Sequence, residues 1–144
     1  MATINPYLNY PGTAEEAFNF YRSVFGGEFS IIQRYKDIPE ATKNLSADDA
    51  EKLMHISLPI GNGNVLMGTD ALGSMGQQLT VGNNFVLSMN TSSEAETEKI
   101  FNGLSAGGQV TMPLQRTFWS TYFGMLTDQF GIQWMVNYEN NEQE

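Results

Sequence analysis

The stretch FWSTYFGMLTDQFGIQWMVNY, residues 118–138, decides the fold. Two runs rich in aromatic and β-forming residues, about 119–126 and 132–138, flank Thr127-Asp128-Gln129-Phe130-Gly131. Aspartate hydrogen-bonds its own backbone in turns and Gly131 accepts positive φ, so the spacing predicts a β-hairpin. In the second run Ile132, Trp134, Val136 and Tyr138 alternate with Gln133, Met135 and Asn137. Successive side chains of a strand point to opposite faces, so the first set meets a core and the second a different surface.

Upstream of the hairpin, residues 109–112 and 85–89 read as strands. Between them Ser92 or Ser93 caps a helix over about 94–105, with Ile100, Phe101 and Leu104 on its buried side, and Gly107-Gly108 ends it. The same order opens the chain. Residues 4–10 alternate Ile4, Pro6, Leu8, Tyr10 against Asn5, Tyr7, Asn9, and Pro11-Gly12 breaks this strand. Thr13, with Glu16 three residues on, predicts an N-cap in a capping box. Ala14, Ala17, Phe18, Tyr21, Val24 and Phe25 form the apolar stripe of the helix that follows, and Gly26-Gly27 stops it.

A strand over 29–35, a polar stretch over 36–49 with one helical turn near Ser46, and a strand over 52–60 come next. In that last strand alternation places Met54, Ile56, Leu58 and Ile60 on one face and Leu53, His55 and Ser57 on the other. Gly61-Asn62-Gly63 turns into a strand over 64–69, and residues 71–83 read as a linker. A shift of 81 positions aligns Ala14 with Ala95, Glu15 with Glu96, Phe20 with Phe101 and the two Gly-Gly pairs. The repeated order of elements makes this a duplication: an α+β domain of two βαβββ modules, about 1–72 and 83–138.

The 144 residues are 41% hydrophobic and carry a formal net charge of −9 without any Lys/Arg cluster. A nucleic-acid backbone or an anionic membrane is therefore not an expected partner. Absence of cysteine excludes disulfides, thiolate metal sites and a Cys nucleophile. No basic segment followed by an apolar one stands at the N-terminus, and the expectation is a cytoplasmic protein. No Gly-rich nucleotide fingerprint or nucleophile elbow occurs, so these residues lend no support to a methyltransferase or nucleotide-dependent role.

The ordered set Asn5-Pro6-Tyr7-Leu8, Ala14-Glu15-Glu16-Ala17, Phe20-Tyr21, Phe25-Gly26-Gly27, Met54-His55, Leu66-Met67-Gly68-Thr69-Asp70, Phe118-Trp119 and Asp128-Gln129-Phe130-Gly131-Ile132-Gln133-Trp134 resembles the vicinal oxygen chelate superfamily, in particular its PhnB-like branch. Two departures stand out: Ser120 and Tyr122 where the branch has Gly and Arg after the Trp, and Gln129 where its turn has Pro. The resemblance implies a curled, mostly antiparallel eight-stranded sheet around a cup, with helices outside and ligands inside. It also implies a homodimer.

Metal-using relatives take four ligands from positions that fall at Asn5, Met67, Asn84 and Met135 here. Two amides and two thioethers bring no charge to offset dehydration of a hard divalent ion, so no metal and no other cofactor is expected. On the same resemblance the cup is faced by Asn5, Tyr7, Asn9, His55, Ser57, Val65, Met67, Asn84, Val86, Ser88, Gln133, Met135 and Asn137. From these, Tyr7, Asn9, His55, Ser57, Met67, Trp119, Tyr122 and Met135 are the expected ligand-binding residues, with His55 and Tyr7 in acid–base roles if there is catalysis. Arg116 is a candidate partner for an anionic group, or an exposed arginine near a turn. The expectation is a metal-free protein that sequesters a small molecule. The alternatives are a lyase, isomerase or other enzyme acting on a small oxygenated substrate, and a homodimeric module with a self-filled cup.

Overall fold

Apolar residues at helical spacing on one segment and at alternate positions on the next must bury their faces together, and that is what both halves of the chain do. A computed structural model describes residues 2–118 and 121–139, Ala41 by its backbone alone. It divides into two compact units, Met1–Thr80 and Val81–Glu144.

In the first unit β1 (Tyr7–Tyr10), α1 (Ala14–Phe25), β2 (Ile31–Arg34), α2 (Ala47–Ala50), β3 (Leu53–Gly61) and β4 (Asn64–Asp70) follow in order. The second unit holds β5 (Leu87–Asn90), α3 (Glu94–Ser105), β6 (Gln109–Arg116), β7 (Thr121–Thr127) and β8 (Gln133–Glu139). The eight strands lie in two four-stranded sheets of identical order, β1-β4-β3-β2 and β5-β8-β7-β6. β1 runs parallel to β4 and β5 parallel to β8, and the other pairings are antiparallel. The duplicated βαβββ architecture is thus present in full.

α1 buries Ala14, Ala17, Phe18 and Tyr21. Tyr10 meets Phe18 edge-on at 6.1 Å, and its hydroxyl donates to that of Tyr21 at 2.9 Å. Phe18 packs so close to β4 that a Cβ on Gly68 would lie 2.5 Å from its ring. In the second unit Phe101 and Leu104 of α3 are buried with Leu126, Trp134 and Val136. Trp134 and Val136 carry the alternation that identified the hairpin.

Four details differ from the expectations. Thr13 makes no side-chain cap. The buried Asp70 carboxylate accepts from the Ala14 amide at 2.9 Å instead, because β4 ends beside the start of α1. Leu53 is fully buried, on the side of Ile56 and Leu58. A register shift between Gln33 and Arg34, opposite Met54, gives the strand an extra residue that rotates Leu53 off the His55 face. β6 continues through Pro113 to Arg116, which a strand at the end of its sheet tolerates since proline donates no ladder bond. The polar stretch 36–49 holds two single 3-10 turns, Tyr35–Asp37 and Pro39–Ala41, and the helical turn near Ser46 is α2, capped by the Ser46 hydroxyl.

Candidate functional site

Helices cover one face of each sheet, and the opposite faces carry six of the expected ligand-binding residues, Tyr7, Asn9, His55, Ser57, Met67 and Met135. In the first unit, pairing of Tyr7 with Met67 and of Met67 with Ser57 sets these three side by side on that face. Asn9 and Thr69 form the neighbouring pair. The Tyr7 ring stacks on the His55 ring with centroids 5.7 Å apart, and His55 Nε2 lies 2.8 Å from Ser57 Oγ. Ser57 is buried, His55 half-buried and Tyr7 exposed over 47% of its surface, so the phenol is the part of this trio that solvent or a ligand reaches first. Thr69 turns its hydroxyl to the Met54 carbonyl at 2.7 Å.

Asn5, one of the four positions aligned with metal ligands, accepts from the Val65 amide through Oδ1 at 3.0 Å. That oxygen is the only atom of its side chain able to ligate a hard cation, and it is engaged. Met67 and Met135 offer thioethers, which suit soft ions. Among the described residues no three His, Asp or Glu side chains converge. The superfamily's metal does not fit this donor set.

The second unit holds a hollow of about 340 Å³ on its sheet face, lined by Ser88 and Asn90 of β5, Thr121 and Phe123 of β7, and Met135, Asn137 and Glu139 of β8. Of the residues expected to face the cup, Ser88, Met135 and Asn137 are brought together here. Asn137 Nδ2 donates to Ser88 Oγ at 3.1 Å. Gln133, on the same face, donates to the Phe85 carbonyl at 2.9 Å and holds the segment leading into β5. Asn90, Thr121, Phe123 and Glu139 were not anticipated. The signal for two of them is simple alternation continued one step, from Ser88 to Asn90 and from Asn137 to Glu139. Phe123 sits directly opposite Asn137 across the hairpin, and Thr121 opposite Glu139.

Tyr122 lies on the other face of β7. Its hydroxyl donates to Glu98 Oε1 of α3 at 3.0 Å, and the Arg116 guanidinium stands 5.2 Å above its ring. Burial pushes the Tyr122 phenol above its ordinary pKa, and the Glu98 carboxylate adds to the effect. Arg116 binds both oxygens of Glu94 through Nη1 and Nη2. These groups tie helix to sheet and do not reach the hollow. Trp119 lies outside the described residues. Gln129, in the place of the branch's proline, donates to the Ala106 carbonyl at 3.4 Å and covers Gly107 at the end of α3.

A second depression, about 450 Å³, lies beside the start of α1 and is bordered by Glu15, Glu16, Arg34, Lys36, Glu51 and Lys52. Its cations are committed. Arg34 pairs with Glu15, Lys36 with Glu51, and Lys52 donates to the Gly12 carbonyl at 3.1 Å.

The family model described as 3-demethylubiquinone-9 3-methyltransferase matches residues 2–137. Protein YjdN of Escherichia coli is 27% identical over 139 residues, 93% of either chain. Among solved structures, protein PA1353 from Pseudomonas aeruginosa is similar with a TM-score of 0.83 and 37% identity, over 96% of this chain and 98% of that one. A Bacillus cereus PhnB protein, described as a putative 3-demethylubiquinone-9 3-methyltransferase, gives 0.75 and 28%, over 95% of this chain and 99% of its own. A glyoxalase-related enzyme from Fulvimarina pelagi shares the fold, with a TM-score of 0.64 at 19% identity over 96% and 89% of the two chains. With the βαβββ repeat in place and the family model spanning both units, the chain belongs to the PhnB-like family described as 3-demethylubiquinone-9 3-methyltransferase, and its fold is that of the vicinal oxygen chelate proteins.

Proposed function

We propose that this chain is a small-molecule-binding protein that sequesters a small, partly apolar ligand against its sheet faces. The observation that carries this reading is the hollow of about 340 Å³, a size typical of small-ligand sites, in which Phe123 and Met135 stand among Ser88, Asn90, Thr121 and Asn137. Apolar groups there supply burial energy, and the hydroxyls and amides fix orientation. Neutral side chains at the positions of the superfamily's metal ligands, with Asn5 Oδ1 accepting the Val65 amide, favour binding over metal-assisted chemistry.

The family's description names a methyltransferase. Nucleotide-type cofactors place anionic or polar groups on free amides at a helix N-terminus. Here the Asp70 carboxylate takes the Ala14 amide, and the Ser93 hydroxyl takes the Glu96 amide of α3. Neither end favours such a group, so binding remains the preferred reading.

Thermal-shift measurements on the intact chain against a library of small amphiphilic metabolites test it. A ligand that raises Tm, with the effect lost in Asn137→Leu, is the expected result; a library in which nothing raises Tm defeats the reading.

A second reading rests on the first unit. The Tyr7–His55 stack and the Ser57 hydroxyl at His55 Nε2 form a chain of proton-bearing groups suited to acid–base catalysis on a small oxygenated substrate. Turnover of any library member that survives unchanged in His55→Ala disposes of it. Homodimer formation and a cytoplasmic location belong to the same proposal. In support, Ile31 and Ile32 lie half-exposed on β2, at the end of its sheet, and no described helix is long and apolar enough to cross a membrane. Sedimentation equilibrium reads the first directly, and fractionation of cells the second.

A further inference from the structure

We propose that the hollow of the second unit selects a small amine, holding its ammonium group at Glu139 and its apolar body against Phe123 and Met135. This inference rests on the binding reading above and names the ligand class of that same site.

Among the described residues the lining contains one ionisable side chain, Glu139, and it is acidic. Glu139 forms no ion pair among the described residues. Residues 81–144 contain only two basic side chains, Lys99 and Arg116. Arg116 is held by Glu94, and Lys99 projects from α3, which packs against the other side of the sheet. An anionic ligand would therefore meet a carboxylate with no cation of the same unit to offset it, whereas an ammonium group would supply the missing counter-charge.

The remaining groups fit the same ligand. With Nδ2 committed to Ser88, Asn137 presents Oδ1 as an acceptor, and an ammonium group brings three donors and no acceptor. Phe123 adds an aromatic face, which attracts a cation or packs an apolar body, and Met135 adapts to its shape. A bare divalent cation does not fit, since a single carboxylate with amides cannot replace its six or more oxygens. The net charge of −9 raises the local concentration of any cationic ligand as it approaches.

Amide-resolved NMR titration of the intact chain at neutral pH and low salt compares three probes of one shape: phenethylamine, 2-phenylethanol and phenylacetate. Phenethylamine is expected to shift the amides of Ser88, Asn90, Phe123 and Asn137 and to bind about tenfold or more tightly than the alcohol, with phenylacetate weakest. Glu139→Gln, an isosteric change at an exposed position, is expected to bring the amine down to the level of the alcohol. Equal binding of amine and alcohol, or an amine preference that survives Glu139→Gln, overturns the charge assignment and leaves small-molecule binding intact. Absence of shifts at those four amides with all three probes also overturns it. If a library ligand shifts the same amides, binding itself stands; if none does, both readings fall together.

Discussion

The Asp70 carboxylate reaches across from β4 and accepts the Ala14 amide at the start of α1, at 2.9 Å. Its second oxygen accepts the Leu53 amide at 2.8 Å, so one buried side chain joins a helix terminus to two strands. Asp70→Ala is expected to cost about 2–4 kcal/mol, adding the loss of a helix cap to a buried amide left without a partner. Thr13→Ala, which removes no cap, should fall within about 0.5 kcal/mol of the parent. Urea unfolding followed by circular dichroism measures both. Equal effects of the two substitutions would contradict the assignment.

Gly68 is a packing position. A methyl group there would sit 2.5 Å from Phe18 Cε1 and 3.2 Å from the Leu8 carbonyl. Gly68→Ala should destabilise by about 1–3 kcal/mol through overpacking. Phe18→Leu alone opens space and is also destabilising, but the double variant should lose less than the sum of the two. Strict additivity in the double-mutant cycle would show that the ring is not what the methyl meets.

Glu15 and Arg34 predict a pH dependence. The hydrogen bond from Arg34, at 3.0 Å, holds the Glu15 carboxyl below its usual pKa despite partial burial. A depressed folded pKa means that the pair's contribution is present above the unfolded carboxylate pKa and fades as pH falls through the lowered value. Glu15→Gln should therefore reduce stability at pH 7, by no more than about 1 kcal/mol for so exposed a pair. The difference from the parent should shrink in acid and in high salt. Urea titrations at neutral and acid pH measure it; a difference independent of pH removes the ion pair as its cause.

Asp128 organises the second hairpin. Oδ1 accepts the Phe130 and Ile132 amides at 2.8 and 3.1 Å, and Oδ2 accepts the Trp134 indole N–H at 2.9 Å. Asp128→Asn keeps one acceptor but points an NH₂ at the indole N–H, donor against donor. The expected cost is about 1–3 kcal/mol with a change in Trp emission, and Asp128→Ala should cost more. If Asp128→Asn leaves both stability and Trp fluorescence unchanged, the indole bond is not made.

Much of this was legible from local pattern. Two glycine-ended helices, the Asp128 turn and the Trp134/Val136 alternation depend on residues within a few positions of one another, and all appear in the structure. Ser88, Met135 and Asn137 could be placed on one face because strand parity is a local property. What escaped depends on which strand lies beside which. Asp70 caps a helix 56 residues away, a pairing that no capping pattern around Thr13 encodes. Leu53 changes faces because a bulge at Met54 interrupts parity, and nothing in its own neighbourhood announces one. Phe123 enters the hollow through its register with Asn137. Tyr122, expected to bind the ligand, turns instead to Glu98 and α3.

The order β1-β4-β3-β2 has a consequence for synthesis. Tyr7–Tyr10, made first in its module, has as its strand partner Asn64–Asp70, made last, and β5 awaits β8 in the same way. A nascent chain stopped before residue 64 has the antiparallel pair β2–β3 available, but Leu8, Tyr10, Phe18 and Tyr21 have no finished sheet to cover. Each module therefore closes only when its final strand leaves the ribosome, and until then its greasiest surface is open to chaperones or to a neighbouring chain.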